Sequence, residues 1–530
     1  MPFKKSILLV IIGFFPLLLF SGDKYWVVFR DKEGVKFNPY EYFDPRVIEK
    51  RQALGIPLVQ FTDLPVQELY CESITDYSEI SFRSRWLNAV AVELDEHQIA
   101  DIRKLEFVRD VQKMQVYANV TGLYDEDPDT FISNGITQQI EIFGAEIFKK
   151  AGIDGRGVRI AVFDGGFPFV DTMEIFRHLF QEKRIIDTYD FVNKKPFVYD
   201  FNSHGTSVLA CIAGKLDGQD YGLAPGAEFL LARTEVNAEI FAEEEYWAAA
   251  MEWAEKNGAD IINSSLGYTY HRYFPKQMDG KSVFVTRMAN LAARKGLLVI
   301  NAAGNDGDSE WEVISAPADA DSVLTVGGIS SKTGIHIDFS SFGPTYDGRM
   351  KPNVVAFGDV TTTGKKNMKT SQGTSFSSPL VSGFAACVMQ LHPDWDNMKV
   401  FYEIQKSGHL YPYFDYAHGF GVPQADYFLG QKNVVDSSFH FRLEGEYLEI
   451  ILKPGEEEQA ADEIQESGKG FRDQYPYLYY HIADENTGKI RKYKVLKMDG
   501  SDSYSIDAKE IRKGELVRAH YKGYTESFRF

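Results

Sequence analysis

Short, largely apolar runs separated by stretches of helical spacing dominate the middle of the chain. Val158–Phe163 (VRIAVF), Phe229–Ala232 (FLLA), Ile261–Asn263, Leu297–Ala302 (LLVINA) and Val323–Val326 read as strands with no polar face. Ser207–Ala213, Glu243–Asn257 and Val283–Lys295 lie between them with helical periodicity, and Gly-rich turns punctuate the whole. Strands apolar on both sides, alternating with helices, predict an α/β fold: a mostly parallel twisted sheet with helices on both faces. In such sheets functional sites collect at the carboxyl ends of the strands.

The flanks are patterned differently. Residues 23–133 predict a small α+β module. Its strands are Tyr25–Phe29, Leu87–Leu94 (LNAVAVEL) and Phe107–Val111. A short helix carrying Ile99, Ile102 and Leu105 follows Asp95-Glu96-His97-Gln98, a capping-box pattern with Asp in the Ser/Thr place. Residues 120–135 (VTGLYDEDPDTFISNG) lack periodicity and predict a linker or exposed loop. The α/β region then occupies residues 134–432. Residues 435–530 change to short alternating runs rich in Tyr, Phe and Lys (Phe439–Leu443, Tyr447–Leu452, Tyr477–Ile482, Thr525–Phe530), which predict a β-sandwich-like module without a motif of chemistry.

The N-terminus carries Lys4 and Lys5, an apolar run from Ile7 to Phe20, and then Ser21-Gly22. This order predicts a secretory signal over residues 1–22. The run is shorter than the ~18 residues a membrane helix needs. Membrane contact is expected only through this segment, if it stays uncleaved. The expected location is secreted, cell-surface or periplasmic.

Composition narrows the function. The chain has 530 residues, 44% of them hydrophobic, so several real cores can form. A net charge of −19 argues against binding nucleic-acid phosphates, which takes basic patches. Three cysteines, Cys71, Cys211 and Cys387, make no disulfide framework. Cys-x-x-Cys and His-Glu-x-x-His patterns are absent, so no zinc motif is present.

Four polar segments interrupt the α/β pattern. Asp164 ends VRIAVF ahead of Gly165-Gly166; alone it is also a turn-forming Asp. His204, in Asn202-Ser203-His204-Gly205-Thr206, sits near a helix start, where a packed His is equally ordinary. Asn305 follows LLVINA in Ala302-Ala303-Gly304-Asn305-Asp306-Gly307, which is also plain turn chemistry. Ser375 stands in Gly373-Thr374-Ser375-Phe376-Ser377-Ser378-Pro379, where a cap on a buried helix accounts for the serines equally well. Pro379 is expected in that helix's first turn, placing the start near Ser375. Together the four supply what acyl transfer needs: a hydroxyl nucleophile, a base, a carboxylate for the base, and an amide donor for the oxyanion. The chain order Asp, His, Ser differs from that of α/β-hydrolases, and the Gly-x-Ser-x-Gly elbow is absent at Ser375.

These segments resemble the subtilisin-like serine peptidases, the subtilases. Weaker matches are Ile262-Asn263-Ser264-Ser265-Leu266-Gly267, Gly222-Leu223-Ala224-Pro225-Gly226-Ala227 and Gly419-Phe420-Gly421. The resemblance covers roughly residues 136–432. It implies a serine endopeptidase with Asp164, His204 and Ser375 as triad and Asn305 as an oxyanion donor beside the Ser375 N–H. It implies that Ser265, Leu266 and Gly267 form a rim strand taking substrate backbone by strand addition. The substrate is then a protein or peptide. The N-terminal module is similar to the inhibitory propeptides of the same family, making it an inhibitor and folding chaperone of its own enzyme.

Ser264 and Ser377 depart from the common family pattern, and the aromatic segment Tyr268–Lys281 looks inserted after the rim. No cofactor is expected. Many subtilases bind calcium, but no Asp-x-Asp-x-Asp-Gly loop occurs, and Asp306, Asp308, Glu310, Asp319 and Asp321 read as scattered surface carboxylates. The competing function is an inactive subtilase scaffold that binds peptides or a surface partner. Every triad and oxyanion position is filled, which argues against it.

Overall fold

The computed structural model describes residues 23–114, 138–236, 242–269, 272–365, 367–430, 436–453, 476–498 and 500–530. The expected signal segment and the 120–135 linker lie outside them. The chain divides into two compact units. The smaller comprises residues 1–36 and 62–116; the larger comprises residues 37–61 and 117–530.

In the smaller unit, β1 (Asp23–Phe29), β2 (Ile80–Ser84), β3 (Ala89–Leu94) and β4 (Val108–Lys113) form one sheet in the order β2-β3-β1-β4. Val27, Phe29, Val90, Val92 and Val111 fill its core with Ile102 from the helix Glu96–Ile102. The capping box forms as the sequence predicts. Gln98 N donates to Asp95 Oδ1 and Asp95 N to Gln98 Oε1, both at 2.9 Å.

The larger unit opens with two short helices, Pro39–Tyr42 and Pro45–Ala53, which the sequence pattern did not show. Its strands are β5 (Arg159–Asp164), β6 (Ile185–Asp190), the small hairpin β7 (Lys215–Leu216) and β8 (Gln219–Asp220), β9 (Glu228–Arg233), β10 (Ile261–Ser264), β11 (Leu298–Ala302), β12 (Val323–Ile329), β13 (Val354–Phe357), and the hairpin β14 (Asp359–Thr363) and β15 (Met368–Gln372). Seven of them make one sheet, β13-β12-β11-β10-β5-β9-β6, parallel throughout. From β5 the chain crosses to the edge strand β6, returns to fill the gap with β9, and then builds the other side from β10 out to β13. The β5/β10 boundary is therefore the switch point, where a crevice opens at the carboxyl ends. All five predicted strands appear. The edges β6 and β13 were missed: β6 (IIDTYD) is half-exposed and carries charge.

Helices cover the sheet as expected. The helix His204–Ala213 and the helix Thr374–Leu391, which carries Ser375, are buried almost all round and share the main core with Ile160, Val162, Leu231, Ile300 and Val326. A helix apolar on every face can exist only inside.

After the α/β part, β16 (Phe439–Glu444), β17 (Tyr447–Leu452) and β20 (Ser503–Asp507) form one sheet. β18 (Tyr477–Asp484), β19 (Ile490–Lys497), β21 (Glu515–Tyr521) and β22 (Tyr524–Arg529) form another. Phe439, Leu448 and Ile450 of the first pack with Leu478, Tyr480, Ile482 and Val517 of the second, a two-sheet sandwich. It meets the α/β part through buried contacts, including His481 Nδ1 to the Phe414 carbonyl at 2.7 Å and the Tyr413 ring stacked on His481.

Candidate active site

Parallel register brings the candidate segments to one rim. Ser264 pairs with Phe163 on one side and Asn301 on the other. The next residues out, Asp164, Ser265 and Ala302, therefore lie side by side at the carboxyl ends of three adjacent strands.

Asp164 is fully buried, and its Oδ1 accepts the Gly165 N–H at 2.7 Å. His204 is the first residue of its helix and keeps one-fifth of its side chain exposed. Its Nδ1 meets both Asp164 oxygens, at 3.0 and 2.9 Å. That contact fixes the ring through Nδ1 and turns Nε2 away from Asp164. Two neighbours set the approach. Asn202 Oδ1 accepts the His204 N–H at 2.8 Å. Gly205 leaves no room for a side chain, because a Cβ there would lie 2.4 Å from the Gly166 carbonyl and 2.9 Å from Asp164 Cβ. Only glycine lets the helix come this close to the carboxylate.

Ser375 is the second residue of the helix Thr374–Leu391, behind Gly373 at φ 143°, a conformation L-residues rarely adopt. Pro379 is the sixth residue of the helix, not in its first turn as the sequence suggested. A residue with an N–H at that place would donate to the Ser375 carbonyl. Proline cannot, and Ser265 Oγ donates to that carbonyl instead, at 2.8 Å. Ser375 Oγ in turn donates to the Ser265 carbonyl at 3.1 Å. Behind them, Asn263 Nδ2 reaches Ser265 Oγ at 3.2 Å, and Asn263 Oδ1 accepts from Ser378 and Ser382 at 3.2 and 2.8 Å. Ser378 thus ties the helix to β10, and Ser377 ties it to β13 through the Phe357 carbonyl at 3.0 Å. The capping reading of these serines gives way to a cross-brace.

Asn305 sits on the exposed loop after β11. Its Oδ1 accepts from both Thr374 N and Thr374 Oγ1, at 2.8 and 2.9 Å. With the oxygen held, the amide Nδ2 faces Gly373, where a Cβ would lie 3.4 Å away. Thr374 and Asn263 were legible only as parts of quoted motifs. Nothing in the sequence marked them as positioning residues.

Leu266 and Ser265 are buried, while Gly267 is exposed. Asn301 Nδ2 holds the Leu266 carbonyl at 2.8 Å, and Tyr268 pairs with Ala316 in an antiparallel bridge. The inserted segment is packed rather than free where it is described. Tyr268 and Tyr273 hydroxyls donate to Glu235 and Glu244, and Arg272 pairs with Glu243. Burial pushes the Glu244 carboxyl up to about 7 and holds that of Glu235 well above the carboxylate range. Asp319 corrects the surface-carboxylate expectation. It is fully buried, accepts from Thr286 Oγ1 and Gly280 N at 2.6 and 2.8 Å, and is pushed up to about 6 by desolvation. Among the described residues no three His, Cys, Asp or Glu side chains converge as a metal site.

Residues 155–421 match the family described as the subtilase family, and residues 24–127 match the peptidase S8 propeptide domain of Bacteroidota. The chain belongs to the subtilase family and is a serine endopeptidase with a propeptide. Subtilisin BL of Lederbergia lenta is 32% identical over 252 residues, covering 47% of this chain and 82% of that protein. Serine protease AprX of Bacillus subtilis (strain 168) is 30% identical over 273 residues, 46% of this chain and 59% of AprX, so less than two thirds of that relative is spanned. Among solved structures, MycP1 from Mycobacterium smegmatis is similar with a TM-score of 0.46 and 23% identity, covering 61% of this chain and 90% of that one.

Proposed function

We propose that this subtilase is made as an exported, self-inhibited precursor and cuts peptide bonds with Asp164, His204 and Ser375. The observation that carries this is the double contact of Asp164 with His204 Nδ1, at the rim where the Ser375 helix begins. Ser375 Oγ turns from the Ser265 carbonyl toward His204 Nε2 and gives up its proton as it attacks the substrate carbonyl. Such contacts are commonly loose before substrate binds. Asp164 stabilises the imidazolium. The Asn305 amide and the Ser375 N–H take the oxyanion, aided by the positive end of the helix. His204 then protonates the leaving amine, and water, deprotonated by the same ring, hydrolyses the acyl-enzyme. Ser265, Leu266 and Gly267 offer an edge for the substrate backbone. Lys4, Lys5 and the apolar run to Phe20 support export, and residues 24–127 the inhibited precursor.

The test compares the exported chain with Ser375→Ala, following shortening of the N-terminal module and cleavage of casein. Wild type is expected to shorten and to cut casein, and the variant to do neither. Equal behaviour in both assays overturns the proposal.

A further inference from the structure

Residues 37–61 lie in the stretch matched as propeptide, yet they are part of the larger unit. They are flanked on both sides by residues of the smaller one. Phe43, Val47 and Ile48 form a small apolar cluster. The helix Pro45–Ala53, capped by Asp44, presents Arg46, Lys50 and Arg51.

Each of these cations meets an acid of the α/β part. Arg46 and Lys50 both pair with Asp260, Lys50 at 2.9 Å. Arg51 pairs with Glu255 at 2.7 Å, both side chains under one-tenth exposed, and Lys295 joins Glu255 at 3.0 Å. Asp44 reverses the polarity. Its carboxylate meets Arg159 at 3.2 Å, and its N–H donates to the Lys256 carbonyl at 2.9 Å. Arg159 also holds Glu228 at 2.9 Å. Charges of both signs on each side fix one register. Contact is close at Gly258, where a Cβ would lie 3.4–3.5 Å from Arg46 and Val47.

The place of this recess matters. Arg159 opens β5 and Asp260 precedes β10, whereas Asp164 closes β5. At about 3.3 Å per residue, the length of β5 puts roughly 17 Å between recess and triad. The segment therefore cannot act on the chemistry by contact.

We propose that this recess, Glu228, Glu255 and Asp260 with Arg159, is a second binding site for the propeptide, occupied by residues 37–61 after the chain is cut. The ion pairs keep the segment seated, and its covalent neighbours keep the smaller unit tethered at high effective concentration. Stripping the segment away takes Arg46 and Lys50 from buried Asp260 and Arg51 from Glu255, which keeps Lys295, a cost that opposes release. Propeptide departure then becomes sensitive to salt and to the charges of the helix Pro45–Ala53.

The test uses the full chain carrying Ser375→Ala, with a recognition site for a sequence-specific protease placed within residues 117–137. Failure of the peptidase proposal leaves this assay intact, since the added protease makes the cut. After cutting, dissociation of the N-terminal fragment is measured at about 50 mM and about 1 M salt, where screening lengths differ several-fold. The parent fragment is expected to stay bound at low salt. Arg46→Glu/Lys50→Glu/Arg51→Glu should weaken retention about tenfold or more and flatten its salt dependence. Lys104→Glu, an exposed change in the smaller unit, should stay within about twofold. If the triple variant fails to fold before cutting, Lys50→Glu alone serves, with a three- to fivefold loss expected for one pair. A charge variant that matches its parent, or a parent fragment that leaves at low salt, overturns the proposal.

Discussion

Thr374 gives two donors to one acceptor, Asn305 Oδ1, and so decides which way the amide points. Removing the amide by Asn305→Ala should lower kcat by about 100- to 1000-fold with little change in KM, the scale of one lost oxyanion donor. Thr374→Val keeps the backbone donor and removes the hydroxyl, so the amide gains freedom. It should cost about tenfold in kcat, again with KM held. An unchanged kcat in Thr374→Val, or a loss seen only in KM, contradicts the positioning role. At this scale the sequence showed residue types well and roles unevenly. Asp164, His204, Asn305 and Ser375 stood out because each interrupts an apolar pattern. Thr374, Asn263 and Gly205 act through contacts with distant segments, which linear spacing does not record.

Elements explain the rest of the site. The helix Thr374–Leu391 carries a proline in its second turn, where helices normally exclude it at a cost of about 3 kcal/mol relative to alanine. Here the bond it deletes is the one to the Ser375 carbonyl, which Ser265 Oγ occupies. The rule that places proline in a first turn failed because a tertiary partner takes up the orphaned acceptor. Pro379→Ala should therefore raise the melting temperature while lowering kcat/KM at least about threefold, because the new N–H competes with Ser265 for that carbonyl. Unchanged activity together with an unchanged melting temperature contradicts this account. The central strands were legible because burial on both faces leaves unbroken apolar runs. The edge strand β6 was not, since a half-exposed edge carries polar residues. The helix Pro45–Ala53 escaped notice for a related reason: its contacts are largely ionic, and its hydrophobic residues are few.

Across the whole molecule, sequence and structure agree on the α/β part and differ on how the chain is divided. A boundary drawn by pattern puts residues 23–133 together, whereas packing assigns 37–61 to the larger unit. Pattern reports local periodicity, and a segment inserted within a module but packed elsewhere looks like part of that module. The two-sheet C-terminal module was foreseeable from alternation, but its buried seam with Tyr413 and Phe414 depends on long-range partners. The central claim concerns the nucleophile, and chemical labelling tests it most directly. Wild type treated with a fluorophosphonate should gain one adduct, located by peptide mass on Ser375, and lose peptidase activity in step. His204→Ala should label far more slowly, and Ser375→Ala not at all. An adduct on another serine, or labelling that leaves activity intact, would contradict the account.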